Sequence, residues 1–449
     1  MNLFETFLLY FGFVDPPQTT LGLSPHGHRL TSPKLTAPFQ PLPETSRNSP
    51  GQRNIWCDGF STDTDYDEDG PTTGTFCDYH LTITNTTKDV DGVQLFALAA
   101  NGHTAMPWHG LSQRDGTNDQ DGVPGVTECA IPPGYTRRYQ FKLTQYGTAW
   151  YHSHALSQFG DGVRGPIIIH GPATANYDVD MGTIMIDNLF DNSSHPISTA
   201  AYASRVLHVN GTGFWNYMLN GANTSPDLKL GRQALWSVEP GKKYLIRFIN
   251  SAVQSAWAVH LDNHDMTVIA ADLVPIAPYK TDWLNIGNGQ RYEVIIEMNQ
   301  PSDTYFLRAA NGILHYKDAP STRPTTTAGK TTADFPYCAD EPLGSLRPWV
   351  EKSAGSSTAF EATVSILPSG DRDRVTFSND GTVWRWRLNM GGVVVNYTQP
   401  TLQALADGVP PYDQSIDHQI VLPQKSHWVY FIVQNLFYAA HPMHVHGHE

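Results

Sequence analysis

Charge is scarce in this sequence. Of 449 residues only 16% are Asp, Glu, Lys or Arg, and no run of Lys or Arg occurs. Nucleic-acid phosphates are bound through basic faces, so a nucleic-acid partner is excluded. The formal net charge of −14 serves solubility and points to no partner. Cysteine is rarer still: Cys57, Cys77, Cys129 and Cys338 are the only four, and none is spaced as CxxC. That argues against a structural zinc knot, and spacing leaves their pairing open. No apolar stretch reaches the roughly 20 residues of a membrane helix. Long runs of 3.6-residue periodicity are few, which argues against a helical bundle. The HExxH signature of zinc hydrolases is absent.

Punctuation is plentiful, with 37 Gly and 32 Pro. Between these breakers lie short runs such as YHLTITN, TRRYQFKL, GPIIIHG, KYLIRFIN, RYEVIIEM and HWVYFIVQ. Their length and their β-branched and aromatic content predict strands, and the regular strand-and-turn spacing predicts sandwiches or small barrels. Residues 1–53 form a leader. It begins MNLFETFLLYFGFVDPP, without a basic start or a small-residue cleavage site, and so makes a poor secretory signal. From residue 15 it is rich in Pro, Ser and Thr and is expected to be disordered. Three blocks follow, 54–172, 178–315 and 346–449, with 316–345 as a linker between the last two. The strands YLIRFINS and YEVIIEM are expected to pair in the second block. Five Asn-x-Ser/Thr sequons, at Asn85, Asn192, Asn210, Asn223 and Asn396, fit a secreted glycoprotein.

Nineteen histidines are present. Six of them fall in three clusters: PWHG with His109, WYHSH with His152 and His154, and the terminal HPMHVHGHE with His441, His444 and His446. Side chains alternate faces along a strand, so residues two apart point together. His152 and His154 therefore share a face, as do His444 and His446, whereas His441 has the opposite parity. His448 has the parity of its neighbours, but it lies about 7 Å beyond His446 at ~3.3 Å per residue and is expected to orient rather than ligate. One HxH pair alone is commonly a core histidine. Three clusters without nearby carboxylates suit copper, zinc or iron.

These clusters sit in segments, TECAIPPG, LTQYGTAWYHSHALSQFGDGVRGPIIIHGP, DLVPIAPY, GQRYEVIIEMNQ and HPMHVHGH, that resemble the multicopper oxidases and fungal laccases in particular. The resemblance runs over about residues 54–449. It implies an all-β chain of three cupredoxin-like Greek-key β-barrels, the first shortened and the third truncated. It implies copper of types 1, 2 and 3. It also implies one-electron oxidation of phenolic and other aromatic substrates, dioxygen as the electron acceptor, secretion and a monomeric state. Ferroxidases and other multicopper oxidases share the motifs, while LSQRDGTNDQDGVPG favours the laccase side. By position, the resemblance implies that His109, His152, His154 and His446 bind type 3 copper, His444 type 2 copper and His441 the blue type 1 copper.

The sequence departs from that pattern in three places. Where the family has HWHG, Pro107 replaces a type 2 ligand, and proline has no lone pair to offer. His103 has suitable parity but stands about 20 Å away along an extended strand. The segment DVDGVQLFALAANGHTAMPWHG is short, so strands of the first barrel are expected to be missing. The family's final HCH motif, with its blue-site cysteine, does not occur in these residues. The expected alternative is a truncated, catalytically impaired remnant that binds one or two copper ions.

Overall fold

The computed structural model describes most of residues 48–188, 206–327 and 341–355. It also describes 360–368, 375–377, 381–383, 386–388, 396–409, 420–421, 429–435 and 442–448, with the pair Thr6–Phe7. His103, His441, Cys57 and Cys338 lie outside the described residues. The described residues are mostly β-sheet. One helix, Thr401–Ala406, and one short 3-10 turn, Asn118–Gln120, interrupt it.

The central feature is a pair of stacked sheets. One has six strands, in the order Tyr217–Leu219, Val179–Asn188, Lys243–Asn250, Arg291–Glu297, Met266–Ala271, Val274–Thr281. The other has five, Leu235–Val238, Gly312–Tyr316, Thr304–Arg308, Trp257–Leu261 and Leu284–Ile286. The expected pair of core strands is present: Lys243–Asn250 runs antiparallel to Arg291–Glu297, with Ile246 opposite Val294. Alternation builds the core between the sheets. Ile184, Ile186, Ile246, Phe248, Val268, Val294 and Ile296 meet Val259, Leu261, Leu284, Ile286, Leu307 and Leu314, all buried. Within each strand these residues are two apart, as the pleat requires.

The expectation of closed barrels is overturned. Among the described residues none of the sheets closes: the outer strands of the six-stranded sheet, Tyr217–Leu219 and Val274–Thr281, do not pair with each other. The physical reason is legible in the edge itself. Val274–Thr281 carries Pro275 and Pro278, which have no N–H to donate to a further strand. Residues 347–349 cover this edge instead, with Ala277 N–H donating to Arg347 O and Trp349 N–H to Pro275 O. The first block is also open. Thr84–Val90 and Val93–Ala99 form a two-stranded ribbon, separate from a three-stranded sheet of Trp108–His109, Gly147–His152 and Arg164–Ile169. TRRYQFKL, expected as a strand, forms no ladder among the described residues. Later in the chain Phe360–Pro368 lies between Trp386–Leu388 and Val429–Asn435 in another open sheet.

The six-stranded sheet is buried on both faces, which is why KYLIRFIN reads as a nearly continuous apolar run. Its outer face receives the Gly147–His152 strand. Trp150 packs on Met185 and Ile249, and Ala149 packs with Leu111 and Leu273. A charge enters this seam from Arg247. Its guanidinium pairs with Glu293 and, at 2.9 Å, with Asp180, while Thr148 Oγ1 donates to Glu293 at 2.7 Å. Burial alone would raise the Asp180 carboxyl, but Arg247 brings it below the usual value.

Removing one partner of a buried ion pair leaves the other uncompensated. Arg247→Met is therefore expected to lower stability by about 3–5 kcal/mol, read by urea denaturation. Asp180 adds stability that is complete above the ordinary carboxyl pKa and is lost as pH falls through its lower folded value. Asp180→Asn should accordingly flatten the acid limb of a melting-temperature profile below about pH 4.

Candidate metal centre

Three chain segments meet at the end of the Gly147–His152 strand. Trp108–His109 pairs with it directly, His109 opposite Trp150. His152 ends the strand and His154 follows two residues on. Residues 442–448 arrive from far along the chain and are held by Gln113 N–H donating to Gly447 O at 3.2 Å. The helix Thr401–Ala406 adds a second tie, with Thr401 and Leu402 N–H donating to Gly125 O and Val126 O.

Five of the six expected histidines come together here. His109 Nδ1 faces His152 Nε2 at 3.3 Å. His154 Nε2 faces His446 Nε2 at 3.0 Å. His444 stacks on His109, with ring centroids 3.8 Å apart and planes 11° from parallel, and stands 4.9 Å from His446. The sixth, His441, lies outside the described residues. His448 is exposed, and His170 lies apart, beside Arg247, Asp180 and Glu293.

Burial holds four of these imidazoles, His109, His152, His154 and His444, neutral. His109 and His154 lie well below the usual histidine range, because desolvation disfavours the imidazolium and neighbouring histidines add to it. For the same reason His152 falls to about 3 and His444 to about 2. Neutral imidazole is the form that binds a metal.

The other ring nitrogens fix the tautomers. His446 Nδ1 lies 3.3 Å from Asp121 Oδ2, and with a proton on that nitrogen Nε2 offers a lone pair towards His154. His152 Nδ1 lies 3.1 Å from Ser153 O and is likewise the donor, leaving Nε2 for His109. Metal–imidazole bonds are about 2.0 Å, so two ligands on one ion stand about 2.8 Å apart at a right angle and about 3.3 Å apart at a tetrahedral angle. Both observed separations lie in that interval, and each pair fits a shared cation.

The third position does not fit. His444 Nε2 is buried without a hydrogen-bond partner. Pro107, the residue that the resemblance sets against it, is buried and offers only its carbonyl, which accepts from His152 N–H at 3.4 Å. Among the described residues no group of three or more His, Cys, Asp or Glu is arranged to hold one metal ion.

Four supporting residues escaped the reading of the sequence. Asp121 is buried and fixes His446. Trp150 stacks on His152 at 4.3 Å. Gly289, at φ +81°, brings bare backbone against His109, where a β-carbon would come within 3.0 Å of Cε1. Arg291 is almost fully buried and lies against Gly110, at φ +82°. The signal was present: Asp121 falls in LSQRDGTNDQDGVPG and both Gly289 and Arg291 fall in GQRYEVIIEMNQ, segments through which the family resemblance runs.

Gly110 is the sharpest test of this packing. A methyl group there would collide with the Arg291 guanidinium at a backbone angle that favours glycine. Gly110→Ala is expected to lower stability by roughly 1–3 kcal/mol and to shift His109, measured by thermal unfolding and by histidine ring NMR shifts.

Comparison with known proteins agrees with the geometry. Two family models described as multicopper oxidase match residues 90–174 and 182–332. A laccase of Neurospora crassa is 35% identical, the alignment covering 90% of this chain and 70% of that protein. Laccase-2 of Botryotinia fuckeliana is 34% identical, over 93% of this chain and 78% of that one. The crystal structure of a laccase from Botrytis aclada superposes with a TM-score of 0.70 at 33% identity, covering 82% of this chain and 73% of the other. With two family matches, these identities and a gathered set of imidazoles, the chain belongs to the multicopper oxidases, a family of copper-dependent oxidoreductases, and is similar to its fungal laccases.

Proposed function

We propose that this chain is a laccase-like multicopper oxidase that binds one or two copper ions and is impaired in the full reaction. The observation that carries the reading is the facing pair His154 Nε2 and His446 Nε2, 3.0 Å apart, with Asp121 holding the second nitrogen of His446. When neither nitrogen carries a proton, the two lone pairs converge on a position that a cation can take. His109 and His152 offer a second pair of the same kind. In this proposal these four residues bind the type 3 pair, His444 belongs to the type 2 position and His441 to the blue site.

Copper supplies one-electron redox chemistry to members of the family. The chain's own residues keep His109, His152, His154 and His444 unprotonated by burial, fix the His152 tautomer through Ser153 O, set Asp121 against His446, and flank the rings with Trp150 and Gly289. Impairment follows from Pro107. With one imidazole at the third position, the set that distributes four electrons onto dioxygen is incomplete. Phenolic or other aromatic reductants and dioxygen are the substrates that the laccase relatives suggest, with a ferroxidase role as the further alternative.

Secretion and glycosylation belong to the same proposal and are supported by the sequons. Asn396 lies exposed in a turn, its Oδ1 accepting from Thr398 N–H at 3.0 Å. The division into blocks 54–172, 178–315 and 346–449 remains our working description of the domains. No helix among the described residues is long and apolar enough to cross a membrane.

Copper analysis of the purified chain tests this reading. Up to two ions per chain are expected, with His109→Ala and His154→Ala each removing one. Pro107→His is expected to raise the count to three by giving His444 a partner. A count of zero, or of four with intense blue absorption, would overturn the proposal.

A further inference from the structure

The two imidazole pairs have different electrostatic surroundings. On one flank the buried Asp121 carboxylate lies 3.3 Å from His446. Its backbone is set by the Asn118–Gln120 turn, where Trp108 Nε1–H donates to Gln120 O at 3.0 Å. A negative charge is thereby built against the His154–His446 pair.

On the other flank stands Arg291, only 3% exposed. It reaches from the six-stranded sheet into the seam. Its Nε–H donates to Thr148 O at 3.1 Å and its Nη1–H to Gly289 O at 3.3 Å. Asp272 pairs with it at 2.7 Å and also accepts its backbone N–H at 2.9 Å. The Nη2 end is turned to Gly110, the residue after His109. Its positive charge acts on both His109 and His444. Asp272 offsets that charge only in part, because its carboxylate is one-third exposed and screened by water while the guanidinium is not. Arg164, opposite His152 in the ladder, is already paired with Asp187 at 2.8 Å.

We propose that the two pairs accept divalent copper in a fixed order, His154–His446 first and His109–His152 second, and that Arg291 is the positioning residue that weakens the second step. The inference rests on the two-pair reading of the site and goes beyond it. A divalent ion entering beside Asp121 is attracted by a buried carboxylate. One entering beside His109 is repelled by a buried guanidinium and by the ion already bound. In surroundings of low polarity, one unit charge at such range changes affinity on the order of tenfold or more. Arg291 also carries Gly289, two residues before it, into contact with His109, so one strand end supplies both the wall and the charge.

The test is a titration of the full chain with Cu(II), read by calorimetry, with crystals at one equivalent examined by copper anomalous scattering. Two unequal steps are expected, the first ion lying between His154 and His446. Arg291→Met should strengthen the second step on the order of tenfold and leave the first within about threefold. Arg291→Lys keeps the charge and should keep the wild-type affinities even where thermal stability drops, which separates charge from structural support. If Arg291→Met does not fold, the wild-type anomalous peak and Asp121→Asn, expected to weaken the first step alone, decide the matter. Two equal steps, a first ion between His109 and His152, or an unchanged second step in Arg291→Met would overturn this inference alone. Absence of any bound copper in the wild-type chain would remove the site reading and this inference with it.

Discussion

The seam between the Gly147–His152 strand and the outer face of the six-stranded sheet governs the rest of the molecule. Thr148, Glu293 and Arg247 form a buried polar contact across it, while Trp150 and Ala149 flank that contact with apolar packing. A buried ion pair tolerates little displacement, since each charge without its partner is expensive to keep out of water. The strand is therefore fixed in direction as well as position. His152 and His154 emerge from its end where Trp108–His109 and residues 442–448 can reach them. Without this seam the imidazoles would have no common reference.

The seam also explains how these imidazoles coexist at such short range. Were they charged, mutual repulsion and desolvation would both oppose the packing. Burial keeps His109, His152 and His154 neutral, the carbonyl of Ser153 holds the His152 proton on Nδ1, and the Asp121 carboxylate lies against His446 Nδ1. Proton placement, more than mere proximity, decides whether such a cluster of rings can offer lone pairs to a metal ion.

Much of this was legible in the residues. The period-two pattern of KYLIRFIN and RYEVIIEM marks paired strands, and HxH spacing marks histidines that reach one place, because both follow from the pleat. Pro107 is a local substitution and reads directly. Sheet closure is different: it depends on what the edge strands do, and the prolines at 275 and 278 speak only once that strand is known to be an edge. TRRYQFKL has strand composition, yet no ladder partner meets it among the described residues. Asp121, Gly289 and Arg291 carry no spacing signal, since their roles arise from segments distant in sequence that meet only on folding.

His154 and His446 touch across 292 positions of chain. A ribosome adding about 5–20 residues per second needs roughly 15–60 s to travel that far. During that interval the nascent polypeptide holds His154 without its counterpart from residues 442–448. The His154–His446 pair is therefore completed only after residues 442–448 have been made, whereas His109 and His152 can meet much earlier.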